Sequence, residues 1–314
     1  MSGEMRAIAM GVHVLDVLVR PVEAIPEGQG GQLVEEIRIT PAGSAGGTAL
    51  TMAKLGAEVR SAGAIGTDPP GDLLLHLLGS RGIDTSLLLR RSEVQTSASV
   101  LPIRPNGDRP AFHVVGANAT YGPDDAPWEE IAAATHLHLG GPEFMGGEAA
   151  AQILSRAREH GVVTSADVLA PSEQGLLEWI EPALEHLDYF LPNDEQALGF
   201  TGESELDAAC AALLERGVGC VAATCGGEGV VIVGDDGTDE RVPAFAVEVV
   251  DTTGCGDAFS AGFLRGLSLG RSRTEAARLG CAAAALVAQG LGSDHGEFDL
   301  AEADRFAAAT PAAG

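Results

Sequence analysis

An α/β fold with a mainly parallel central sheet, helices on both faces and a small second sheet is predicted by three features of the chain. Beyond Asn118, short apolar runs alternate with helix-length segments, the order of a βαβ protein. Three earlier runs with strand character, at 33–39, 97–103 and 111–115, stand apart from that alternation and read as a separate small sheet. The stretch Asp251-Thr252-Thr253-Gly254-Cys255-Gly256-Asp257-Ala258-Phe259 then sets two glycines and an acid where a β-like run, 245–250, turns into a helix over 258–269.

The elements follow in order. Residues 6–11 read as a buried strand running into a glycine. Residues 12–18 are apolar except for Asp16 and His13. Residues 21–31 are rich in Pro and Gly and read as loop. Residues 32–40 alternate as a strand with one exposed face, and 41–48 form a glycine-rich turn feeding a helix over 49–55. A strand over 59–65, a turn and cap over 66–72, and a helix over 73–78 come next. The strands at 97–103 and 111–115 flank a turn at Pro105-Asn106-Gly107-Asp108. After Asn118, strands are expected at 136–139, 162–165, 189–191, 218–223 and 230–233, with helices at 148–160, 173–179, 194–199 and 205–216. A last helix covers 274–289, and 308–314 is expected to fray.

Composition narrows the function. The chain has 314 residues, 45% hydrophobic and 20% charged, as in ordinary globular proteins, and no apolar run suited to spanning a bilayer. Its formal charge of −26 argues against nucleic acid or an acidic membrane surface as partner. Five cysteines without C-x-x-C spacing, and no leader-like start, point to reduced thiols and a cytoplasmic setting. Lys54 is the single lysine, and no Walker-type phosphate loop is present, so an anionic ligand would need helix N-termini, glycine amides or a divalent metal.

The turn at 251–257 supplies two of these. Glycines let the backbone approach a ligand, and the first turn of a helix leaves amides unpaired with a dipole that favours an anion. Asp257 is then either an ornament of the helix dipole or a base beside a bound phosphate. Other sites carry two readings as well. Asp16 is a turn or edge aspartate, or a carboxylate that binds a polyol. His136 and His138, two apart on one strand, are a zinc pair or satisfied strand histidines. Asn193 to Gln196, after Pro192, reads as a helix cap with acids in the first turn. The loop Thr224-Cys225-Gly226-Gly227-Glu228-Gly229 lies between two expected strands and reads as a β-turn.

The nine residues from Asp251 to Phe259 closely resemble the C-terminal signature of the ribokinase-like (PfkB) carbohydrate kinases, with Cys255 where the family usually has Ala. The resemblance extends over most of the chain. At the N-terminal signature Ala42 replaces the first Gly of a Gly-Gly pair, Gly43 keeps the second, and Gly47 replaces an Asn that helps hold substrate. Gln196 stands where the family has a Glu that acts on magnesium through water.

What the resemblance implies is a ribokinase-like three-layer α/β/α sandwich. It would be a single domain over 1–314, with a β lid from about 13–41 and 96–116. The implied activity is ATP-dependent phosphorylation of a hydroxymethyl group on a sugar or sugar-like alcohol. Asp257 would be the base, with Gly254, Cys255 and Gly256 forming an anion hole. Asp16, Gly43, Gly47, Asn118 and Asp167 would hold substrate. Asn193, Thr224, Gly226 and Gly229 would hold ATP. Glu195 or Gln196 would serve Mg²⁺, and the backbone near Asp251, Thr253 and 290–293 a K⁺ ion. A homodimer through the lid is also implied. The arginine that often follows the strand-end Asp167 is missing from 168–172, which argues against a keto-acid sugar. A nucleoside kinase of this fold and a non-catalytic sugar-binding regulator are the competing readings. Aromatics at 4% favour a sugar over a nucleobase, with Phe112, Phe144 and Tyr121 as the available wall.

Overall fold

Short β-branched and aliphatic runs lay down the main sheet of the computed structural model, which describes residues 4–105, 109–169 and 176–313. The expected turn at 105–108 and the start of the helix expected from 173 lie largely outside these residues. The chain runs β1 (Arg6–Gly11), β2 (Val14–Arg20), β3 (Glu36–Ala42), α1 (Ser44–Lys54), β4 (Glu58–Gly66), α2 (Pro69–Ser80) and β5 (Asp84–Arg91). It continues through β6 (Ala98–Pro102), β7 (Phe112–Val114), α3 (Trp128–Ala133), β8 (His136–Gly140), α4 (Gly147–Glu159), β9 (Val163–Asp167) and α5 (Leu176–Leu184). It closes with β10 (Tyr189–Phe190), α6 (Asp194–Thr201), α7 (Leu206–Leu214), β11 (Cys220–Thr224), β12 (Val230–Gly234), β13 (Asp239–Val242), α8 (Cys255–Ser268), α9 (Arg273–Ala288) and α10 (Leu300–Ala309).

The main sheet has the order β13-β12-β11-β10-β9-β8-β1-β4-β5, with β12 and β13 antiparallel at one edge and the rest parallel. Alternation along β1 explains the three layers. Ile8 and Met10 point into one core with Leu137, Leu139, Ile153 and Leu154, while Ala7 and Ala9 join the opposite core with Leu50, Leu74, Phe259 and Phe263. Each large aliphatic or aromatic side chain fully buried there contributes about 1.5–3 kcal/mol. No helix among the described residues is long and apolar enough to cross a membrane.

The second sheet, β3-β2-β6-β7, confirms the separation seen in the sequence. Its two faces differ in chemistry. Thr40, Asp16, Ser99 and His113 are paired across the four strands, and one residue along the pleat Ile39, Val17, Val100 and Phe112 are paired likewise. The first row turns inward. In the second, Ile39, Val100 and Phe112 are exposed on the outside.

Several expectations need correction. Asp16 is in the middle of β2, an interior strand of the small sheet, so it is neither a turn nor an edge aspartate. Helix α1 begins at Ser44, so Gly46 and Gly47 are helical rather than part of a turn. Gly47 is required there by its close approach to Asp257, whereas a Cβ at Gly46 would make only ordinary contact with His13. Residues 245–250 form no strand; Phe245 makes a single bridge with Ala312. The C-terminal tail is accordingly paired, not frayed: Ala246 N donates to Pro311 O at 3.0 Å and Ala313 N to Ala244 O at 2.8 Å.

Candidate active site

The C-terminal ends of the parallel strands, the inner face of the small sheet and the start of α8 enclose a cleft of about 1020 Å³. Open α/β sheets place ligands at these strand ends, where loops diverge and helix N-termini converge. At its centre Gly254 caps α8 in a left-handed conformation with φ 78°, and a side chain there would collide with Ser293. Gly256 faces open space, so the first amides of α8 are reachable from the cleft. Burial pushes the Cys255 thiol up to about 12, which keeps it neutral and leaves its backbone as the part that matters.

Asp257 sits in the first turn of α8 with its side chain against Gly47. Its carboxyl is raised well above the usual range, first by burial, then by the charges of Asp167 and Asp16, with Arg109 opposing. Asp167 ends β9, and Asp16 faces it from the small sheet. Asp16 is raised to about 6, mainly by burial, against a hydrogen bond from Ser99 and the charge of Arg109, with Asp251 adding to the rise. Ser99 also meets His113 Nδ1 at 3.0 Å, so a polar chain backs the Asp16 carboxylate.

The half of the cleft at the start of α6 combines polar and apolar walls. Asn193 caps α6 by accepting from Gln196 N at 2.7 Å, and Gln196 answers by accepting from Asn193 N at 2.9 Å. The Gln196 amide also donates to Val168 O at 2.9 Å. These bonds engage Gln196 as a structural cap, while Asp194 and Glu195 open to the cleft. Thr224, Gly226 and Gly229 line the same end and are joined to α6 by a bridge between Asn193 and Thr224. Phe245, Val247, Val249, Ala284, Ala285 and Ala288 face them as an apolar slot.

Of the residues expected to serve catalysis, substrate, ATP or a metal ion, three do not line the cleft. Gly47 lies behind Asp257. Asn118 is buried and spent on the backbone of His13, accepting from its N at 3.2 Å and donating to its O at 3.0 Å. Asp251 is buried beneath the turn, where it accepts from Thr253 N, from Thr253 Oγ1 and from Gly292 N at 2.8–3.0 Å. Gly43, by contrast, is on the cleft wall at the start of α1. No group of three or more metal-ligating side chains occurs among the described residues; His136 bonds Thr135 Oγ1 and His138 bonds Ser165 Oγ, in keeping with the reading of both as satisfied strand histidines.

Sequence reasoning missed two features. Arg109, between β6 and β7, reaches across the cleft and donates to Thr253 Oγ1 at 2.6 Å. Nothing local marks it out, because its importance comes from a chain crossing more than a hundred residues long. The apolar slot was hidden by reading 245–250 as a strand; the alternation of Phe245, Val247 and Val249 does signal one shared face.

This chain belongs to the pfkB family of carbohydrate kinases, whose sequence profile matches residues 11–297. It is 26% identical over 311 residues to a nucleoside kinase of Methanothermobacter thermautotrophicus, covering 98% of this chain and 97% of that one. It is 30% identical over 260 residues to an ATP-dependent ribose-1-phosphate kinase of Halopiger xanaduensis, covering 82% and 83%. In three dimensions it superposes on Arabidopsis thaliana ribokinase complexed with ribose and ATP, with a TM-score of 0.82 at 23% identity over 98% of this chain and 99% of that one. The protein is therefore a kinase of ribokinase fold.

Proposed function

We propose that the protein transfers the γ-phosphoryl group of ATP to a hydroxymethyl group of a sugar or sugar-like alcohol. The observation that carries this reading is the position of Asp257. It stands in the first turn of α8, with the glycine amides on one side and two more cleft carboxylates, Asp16 and Asp167, on the other. Asp257 takes the proton from the attacking hydroxyl, and the amides of Gly254, Cys255 and Gly256 donate to the oxygens of the transferring group. Asp16 and Asp167 accept hydrogen bonds from other hydroxyls of the acceptor. Thr224, Gly226, Gly229 and Asn193 border the nucleotide, whose base fits the apolar slot. The small sheet acts as the lid.

Mg²⁺, when bound, would neutralise charge on the phosphate oxygens. The donors present suit an ion held mostly by phosphate and water, since Asp194 and Glu195 are the carboxylates that open to this end. The Asp251 carboxylate is already engaged by three internal hydrogen bonds, so a K⁺ ion there would rest mainly on backbone carbonyls. The exposed apolar row of Ile39, Val100 and Phe112 suits a second copy of the lid, which supports a homodimer.

A sugar is favoured over a nucleoside because only Phe144 of the three aromatic candidates lines the cleft. Phe112 is on the outer lid face, and Tyr121 is buried beside Asp125. The test is phosphotransfer from MgATP to a panel of ribose, fructose, adenosine and cytidine. Transfer to a sugar supports the reading, transfer to nucleosides alone replaces it with the nucleoside kinase, and binding without transfer replaces it with the regulator.

A further inference from the structure

His138 belongs to neither the cleft surface nor a metal cluster, yet it is fully buried directly beneath an acceptor-side carboxylate. The period-two alternation of the sheet explains its position. On β9, Ser165 and Asp167 share one face, two residues apart. His138 on β8 is paired with Ser165 and so lies on that same face. Its ring therefore reaches both: Nδ1 is 3.0 Å from Ser165 Oγ, and Nε2 is 3.5 Å from Asp167 Oδ1.

Both atoms of the longer contact are buried, and neither has another hydrogen-bond partner among the described residues. A bare ring nitrogen facing a carboxylate oxygen in a dry interior would set two acceptors against each other. A proton on Nε2 removes that conflict. The Ser165 hydroxyl permits it, because it can donate to Nδ1 in preference to Leu137 O, which is 3.5 Å away.

We propose that His138 is a positioning residue: its Nε2–H holds Oδ1 of Asp167 and so aims the other carboxylate oxygen at a hydroxyl of the acceptor. Ser165 fixes the ring and its tautomer from behind. The neighbouring His136 has no such part. It bonds Thr135 Oγ1 at 2.8 Å, and burial, reinforced by the charge of Arg265, lowers it to about 4. The inference rests on the kinase reading for its functional meaning but not for its geometry.

The experiment has two arms. In the first, His138→Leu and His138→Gln are assayed with MgATP and whichever of ribose, fructose, adenosine or cytidine the unaltered protein turns over best. The Leu variant should raise the acceptor KM by about 10–100-fold with the ATP KM unchanged, as expected for a carboxylate that loses a buried donor. The Gln variant, which keeps a donor, should recover most of that loss. Equal damage in both variants, or an ATP KM that rises in step, would make His138 a packing residue and overturn the proposal. The second arm needs no substrate. With ¹⁵N-labelled histidine, His138 Nε2 should resonate as a protonated nitrogen, and Asp167→Ala should shift it. An unprotonated Nε2 in the folded protein overturns the proposal even where phosphotransfer succeeds. A protonated one upholds the pairing even where no acceptor on the panel is phosphorylated, an outcome that counts against the kinase reading alone.

Discussion

A β-carbon added to Gly47 would overlap Oδ2 of Asp257 and lie 2.9 Å from its Cβ. Helix α1 thus serves as the seat of the Asp257 carboxylate, and nothing larger than hydrogen fits at 47 while that carboxylate stays in place. Thr48 adds a hydroxyl 3.4 Å from the Asp257 carbonyl, so two consecutive residues of α1 fix the start of α8. Gly47→Ala should therefore cut turnover by about a hundredfold through misplacement of the base. Stability should be spared, because Ala is the better helix former by about 1 kcal/mol. The check is kcat beside a thermal melt. An unchanged kcat would mean that the carboxylate swings aside freely.

Asp257→Asn keeps the shape and removes the proton acceptor. Turnover should fall by about 10²–10⁴ while ATP affinity holds or rises slightly. Gly256→Val should do the opposite. Its side chain enters open space in the folded protein and fills the approach to the amides, so nucleotide binding weakens while folding survives. Calorimetric ATP titration and saturating kinetics on both variants separate the two effects.

The acceptor KM should depend on Asp16. Its folded-state value of about 6 lies above the ordinary 3.8, so the fold favours the protonated form. Stability from this group is therefore greatest at low pH, falls as pH rises between those two values, and is level above them. The charged form costs about 3 kcal/mol on that basis. Asp16→Asn should be more stable than the parent at neutral pH, with no gain near pH 4, as melting curves at the two values would report. In the parent, acceptor KM should climb as pH drops below about 6, when the carboxylate loses its charge.

Arg109 holds down both Asp16 and Asp257 by its charge. Arg109→Gln should consequently move the acid limb of the pH–rate profile to higher pH and reduce kcat at neutral pH. It should also free the lid from Thr253, raising amide exchange in β6 and β7. A profile that stays in place would confine Arg109 to a mechanical role.

Placing a charge in the outer apolar row should disrupt self-association. Val100→Glu leaves the inner face untouched, and sedimentation at micromolar concentration should report a monomer where the parent is a dimer. A monomeric parent would refute the dimer directly.

The layered fold could be read from the sequence because the signals are local: apolar runs of strand length, glycines at their ends and one long signature at 251–259. The candidate site was legible where a residue's own neighbours define it, as for Asp257, Asp16 and the loop 224–229. It was not legible where distant segments meet. Gly47 looked like the loss of a substrate contact, yet its role is to make room for a side chain 210 positions later. Asn118 looked like a ligand residue, yet both ends of its amide are bound to His13. Gln196 was read for what the family places there, and the capping bonds it makes with Asn193 depend on a geometry that spacing alone leaves open.

The two-faced small sheet also limits how this protein can change over evolution. Inner and outer rows are interleaved on the same strands, so a single-residue insertion in β2 or β6 would exchange them, turning Asp16 or Ser99 to the outside and an aliphatic side chain toward the ligand. Length variation should therefore collect in the connections at 21–35 and 103–111, where it leaves the pleat in phase. Point substitution can alter the polar row or the apolar row alone, but a shift of frame alters both at once.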